Sequence, residues 1–129
     1  MTPTPLSLAS IALGAVLGAW LRWGLGLWLN THAARLPWGT LAANLIGGYL
    51  IGLLLGMLAA HPGWPDWLRL ALATGFLGAL TTFSSFSAET VTLVQAGRPL
   101  TALGYAALSL LGSLALTAAG LFTVQALGR

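Results

Sequence analysis

Residues 36–60 and 100–127 of this 129-residue chain contain no Asp, Glu, Lys or Arg at all. Each stretch exceeds the roughly 20 residues, at a rise of about 1.5 Å apiece, that an α-helix needs to cross a hydrocarbon core of about 30 Å. Two more stretches come close to the same pattern. Residues 6–29 are interrupted only by Arg22, and residues 67–95 carry Arg69 near their start and Glu89 near their end. Between the second and third stretches lies His61-Pro62-Gly63-Trp64-Pro65-Asp66, and Gly97-Arg98-Pro99 ends the third. Prolines and glycines at these points stop helices. The chain is therefore predicted to be one all-α membrane domain over residues 1–129, with four transmembrane helices at about 6–29, 36–60, 67–95 and 100–127.

The composition excludes the main alternatives. Charged residues make up 5% of the chain, against about 25% in soluble domains, so no polar shell is available to cover an apolar core. A soluble enzyme is ruled out on that ground. With no cysteine, disulfides, thiolate metal sites and cysteine nucleophiles are excluded together. The first apolar run is too long for a typical signal sequence and no basic segment precedes it, so it is kept in the mature fold. A net charge of +3 would suggest nucleic acid, but Arg22, Arg35, Arg69, Arg98 and Arg129 are scattered singly and form no patch that could track phosphates. All six tryptophans, Trp20, Trp23, Trp28, Trp38, Trp64 and Trp67, lie at or near span ends, as interfacial anchors do.

The same arginines say little about orientation. With a cytoplasmic N-terminus, Arg69 and Arg129 fall inside, while Arg35 and Arg98 fall outside together with Arg22 near the end of the first span. An excess of basic residues on one face normally sets topology, and two against three is nearly even. The expectation is insertion in both orientations and antiparallel pairing with a second copy.

Helices in lipid associate through small residues that let backbones approach at four-residue spacing. The first span offers Gly14, Gly18, Arg22 and Gly26, and the second offers Thr40, Asn44, Gly48, Gly52 and Gly56. The glycines read as packing seams. Asn44 does not, because a carboxamide at membrane depth must find partners for its donors and acceptor. In the fourth span Thr101, Tyr105, Ser109, Ser113 and Thr117 form a slowly winding hydroxyl line. Neutral donors of this kind suit a dehydrated anion that must be both held and released.

The third span is irregular. Its stretch from Thr74 to Glu89 holds Gly75, Gly78 and six Thr or Ser before Glu89, in the middle of a membrane segment. Glycine and β-branched threonine weaken a helix, and backbone freed inside a membrane is tolerated where it is buried in protein or coordinates something. A break near the middle of this span is expected, with released carbonyls available to a small cation. Phe83 and Phe86 share a face there, and their ring edges carry the positive part of the quadrupole.

These residues resemble the Fluc family of fluoride channels over essentially the whole chain. Gly75-Phe76-Leu77-Gly78-Ala79-Leu80-Thr81-Thr82-Phe83-Ser84-Ser85-Phe86 is similar to that family's G-x-x-G-G-x-T-T-F-S-T-F signature. Gly18-Ala19-Trp20-Leu21-Arg22-Trp23 resembles its G-A-x-x-R-Y run, and Asn44-Leu45-Ile46-Gly47 its second-helix motif. Ala79, Ser85 and Trp23 depart from the pattern. The resemblance implies an antiparallel, dual-topology homodimer in the bacterial cytoplasmic membrane that exports fluoride passively through two pores. It further implies Phe83 and Phe86 as pore-lining rings and Asn44 as an amide touching the ion. Tyr105, Ser109 and Ser113 would form a polar track with Thr40 nearby, and Arg22 and Glu89 would lie toward the pore ends. A structural Na⁺ would sit on the dimer axis, held by the backbone carbonyls of Gly78 and Thr81.

A small multidrug-resistance exporter also has four helices and pairs antiparallel, but it needs a carboxylate in its first span. Here that span carries Arg22 and no acid. A non-transporting assembly subunit would explain the glycine stripes and leave the hydroxyl line without a purpose.

Overall fold

The computed structural model of the chain describes residues 2–30 and 36–128. Arg35 and Arg129, two of the five arginines in the orientation count, lie outside the described residues. Helix α1 is Pro5–Leu29. Thr4 caps it, accepting from the Ser7 amide at 3.1 Å while the Ser7 hydroxyl accepts from the Thr4 amide at 2.8 Å. Pro5 at the first helical position removes an amide that would have no partner there. At the other end Asn30 Oδ1 accepts from the Gly39 amide at 2.7 Å, tying the exit of α1 to the start of α2, Trp38–Ala60.

The third span is assembled from pieces. Helix α3 is Asp66–Arg69, a π-helix follows at Leu70–Leu77, and helix α4 is the single turn Gly78–Leu80. Thr81 has extended backbone (φ −87°, ψ 155°) and helix resumes as α5, Ser84–Gln95. Gly97, at φ 75°, turns the chain left-handed, and the Arg98 amide closes on the Leu93 carbonyl at 3.0 Å. A residue with a Cβ would be strained at that glycine. Helix α6, Pro99–Leu127, completes the chain. The four segments Pro5–Leu29, Trp38–Ala60, Asp66–Gln95 and Pro99–Leu127 are each long and apolar enough to cross a membrane. The predicted boundaries differ from these by no more than two residues.

Two parallel helix pairs form the body. α2 lies along α6 and α1 lies along the π-helix and α4, with α1 also touching α2. The glycine stripes make both approaches possible. A methyl added at Gly52 would overlap the Thr117 carbonyl, and one at Gly120 the Tyr49 carbonyl. With no hydrophobic drive between helices in lipid, such backbone contact supplies the packing. Across this seam Thr117 donates to Gly48 O at 2.9 Å and the Tyr49 and Thr123 hydroxyls lie 3.0 Å apart. One apolar cluster is Leu41, Leu93, Ala102 and Tyr105; the other is Ala43, Leu54, Leu77 and Leu80. Trp20, Trp23, Trp28, Trp38 and Trp67 are exposed on the outer surface, where lipid would meet them.

Candidate functional site: a polar cleft at the interrupted third span

The π-helix and α6 both pack on α2 and not on each other. The gap between them is a cleft of about 620 Å³ with Asn44, Gly47 and Gly48 of α2 along one wall. Thr82, Phe83 and Phe86 contribute from the third span, and Ser109 and Ser113 from α6.

Asn44 spends its amide on the interruption. Its Nδ2 donates to the Thr82 carbonyl at 3.0 Å and its Oδ1 accepts from the Thr82 amide at 2.8 Å. In an unbroken helix the Thr82 amide would donate to Gly78 O, and the Ser85 amide to Thr81 O. Here the Ser85 amide donates to Thr82 Oγ1 at 3.2 Å, just ahead of the first turn of α5. The helical donors of Gly78 O and Thr81 O are thus both diverted. Arg22 Nε takes the Ala79 carbonyl at 3.0 Å, which places this arginine at the interruption itself. A cation at the carbonyl end of a helix also meets the favourable end of its dipole.

Around the cleft the aromatic rings form a chain. Phe83 and Phe86 have centroids 5.7 Å apart at 56°, and Phe86 and Tyr105 5.4 Å apart at 42°. Phe83 is 79% exposed, so its ring is free of the chain's own core. Tyr105 is buried and donates to Glu89 Oε2 at 3.3 Å, while Thr40 donates to Glu89 Oε1 at 2.7 Å. A carboxyl group inside a membrane span is therefore met by two neutral hydroxyls.

The hydroxyl line of α6 divides. Thr117 donates to Ser113 O and Gly48 O, both at 2.9 Å, and so serves packing. Tyr105 is committed to Glu89. Ser109, 6% exposed, is the one residue among those described whose buried side-chain oxygen makes no hydrogen bond of good geometry, although it lies near the Tyr105 hydroxyl. Leaving a buried hydroxyl unpaired costs about 1–3 kcal/mol, which native structures normally avoid. Of the residues expected from the sequence, Asn44 and Ser109 line the cleft while Thr40 and Tyr105 meet Glu89; Thr82, the partner of Asn44, was not among them.

The family described as CrcB-like protein, camphor resistance (CrcB), matches residues 9–121. A relative from Bordetella petrii, named fluoride-specific ion channel FluC, is 64% identical, covering 98% of this chain and 99% of its own length. Proteins carrying the same name from Bordetella pertussis and Pseudomonas syringae pv. maculicola are 59% and 58% identical over 100% and 95% of this chain. With a match that takes in all four spans and relatives of nearly equal length, the chain belongs to the CrcB-like family.

Proposed function

We propose that this chain is a fluoride-selective channel that lets cytoplasmic fluoride leave a bacterial cell passively across its cytoplasmic membrane, and so protects against fluoride toxicity. The relatives' shared name supports fluoride as the ion. The observation that carries the reading is the Ser109 hydroxyl, buried in the wall of the cleft without a hydrogen bond of good geometry. A neutral donor beside Phe83, Phe86 and the remaining N–H of Asn44 can replace part of an anion's hydration without trapping it against a fixed positive charge. From this line the ion path runs along α6 toward Tyr105, Thr40 and Glu89, with Ser113 on the other side.

In this reading the working unit is an antiparallel homodimer of two oppositely inserted copies. The near-even arginine distribution supports it, and so does a polar cleft open at the surface, because in lipid such a surface must be covered by protein. The interruption at residues 81–83 is then the functional break of the third span. Gly78 O and Thr81 O fit a Na⁺ site at the dimer axis: both are hard oxygens whose helical donors have been diverted. A Na⁺ held there by the carbonyls of both copies would offset the negative ends of the two half-helices.

The test is fluoride release from liposomes down its gradient, for the intact chain and for Ser109→Ala. Rapid release by the intact chain, slowed in Ser109→Ala, is expected. Release at the same rate in both would remove Ser109 from the path, and no release by the intact chain would refute the function.

A further inference from the structure

The third span is wider than an α-helix over Leu70–Leu77, where backbone bonds close five residues back, as from the Gly78 amide to the Ala73 carbonyl. By Thr81, whose amide reaches Leu77 O, the ladder has returned to four. π-Geometry is rare, is seen mostly as single-turn bulges, and recurs at functional sites. This segment holds a residue more than an α-helix joining the same bonded partners would need.

Helix α1 is what the wide turn fits. Gly14, Gly18 and Arg22 stand one turn apart on one face of it and meet three carbonyls in succession. A methyl at Gly14 would overlap Ala71 O, and one at Gly18 would overlap Phe76 O. Arg22 donates to Ala79 O. Gly75 answers from the other side, since a methyl there would come within 2.6 Å of Ile11 O. Steps of four and four on α1 are thus matched by steps of five and three on the third span. Positions on one face of an α-helix recur every three or four residues, so the step of five is supplied by the wide turn.

We propose that the π-helix keeps the register of the third span. Its wide turn takes up one surplus residue between the contacts at Gly14 and Gly18, so that the Ala79 carbonyl still reaches Arg22 and the Thr82 peptide still reaches Asn44, and the helix opens at the same place that it would without that residue. The glycine stripe and Arg22 are positioning residues for the cleft, acting through the backbone rather than on an ion.

Deletion within the segment tests this directly. Removing the exposed Thr74 turns the bonds that span it, Phe76 to Ala71 and Gly78 to Ala73 among them, from five-residue into four-residue closures between the same atoms. The segment becomes an α-helix and everything from Gly78 onward keeps its place. Inserting an alanine after Thr74 adds a second surplus residue that the glycine contacts cannot hold. Deleting Ala79 lies beyond the segment and draws the Arg22 partner out of register.

The full chain and these three variants would be compared by unfolding in mixed micelles and by fluoride release from liposomes. The release arm rests on the channel reading, and the unfolding arm does not. The Thr74 deletion is expected to fold, unfold at a denaturant midpoint close to that of the intact chain, and release fluoride within about threefold of it, the scale of a neutral change. The insertion and the Ala79 deletion are expected to unfold earlier and to lose about tenfold or more in release, as ångström-sized misplacement does at other sites. A Thr74 deletion that does not fold, or that is damaged as much as the Ala79 deletion, overturns the proposal; so does an insertion tolerated as well as the deletion. Should the intact chain release no fluoride, the channel reading fails, and the unfolding contrast alone decides the register proposal.

Discussion

Replacing Asn44 by leucine removes both side-chain bonds that hold the interruption while keeping a side chain of similar size. The two bonds, at 3.0 and 2.8 Å, satisfy one backbone carbonyl and one backbone amide of Thr82. In water-soluble proteins an unsatisfied buried group costs about 1–3 kcal/mol. Inside membranes measured side-chain bonds average about 0.6 and reach about 1.7 kcal/mol, because the freed groups find other partners. Two bonds at the membrane scale give a loss of about 1–3 kcal/mol in unfolding free energy. One alternative partner is already in place: the Thr82 amide can return to Gly78 O, closing the helix and withdrawing one of the two carbonyls assigned to Na⁺. Asn44→Leu is therefore expected both to unfold earlier when SDS is titrated into mixed micelles and to make fluoride release less dependent on Na⁺. A loss below about 0.5 kcal/mol, within the spread of neutral surface changes, would refute the claim that Asn44 holds the break open.

Gly52→Ala forces a methyl against the Thr117 carbonyl and should destabilise by about 1–3 kcal/mol, as overpacking does, measured by unfolding in micelles. Gly24→Ala, with open space around the added methyl, should not. Thr40→Val should lower stability by about 1 kcal/mol and more than Tyr105→Phe, because the Thr40 bond to Glu89 is 2.7 Å against 3.3 Å; the reverse order would contradict the geometry. Phe83→Ile and Phe86→Ile should both slow fluoride release. Only Phe86→Ile should also cost stability, about 0.5–1.5 kcal/mol, since the Phe86 ring makes tilted contacts with both Phe83 and Tyr105 while Phe83 is exposed. Exchanging Na⁺ for a larger organic cation should reduce release if the Gly78 and Thr81 carbonyls hold the ion, and indifference to the exchange would argue against that site.

The four spans were legible because length and the absence of charge suffice to define a membrane helix; the Thr4 cap and Pro99 at the first position of α6 each start their helix one residue earlier than expected. The polar residues at membrane depth were legible as a class for the same reason: Asn44 and Ser109 cannot be neutral passengers in hydrocarbon. Their partners were not legible. That Asn44 serves the Thr82 peptide and Arg22 the Ala79 carbonyl depends on contacts 38 and 57 residues away in the chain. The hydroxyl line looked uniform at four-residue spacing, yet Thr117 is spent on Ser113 O and Gly48 O while Ser109 is left open. The wide turn at Leu70–Leu77 had no sequence signal of its own, because it fits the backbone of α1 rather than any local preference of Leu-Ala-Leu-Ala-Thr.

Fluoride and chloride efflux, measured side by side from liposomes carrying the intact chain, distinguishes a fluoride channel from any other assembly of these four spans. Fluoride is expected to leave rapidly down its gradient while chloride stays trapped; equal leakage of the two ions, or none of either, would contradict the channel reading.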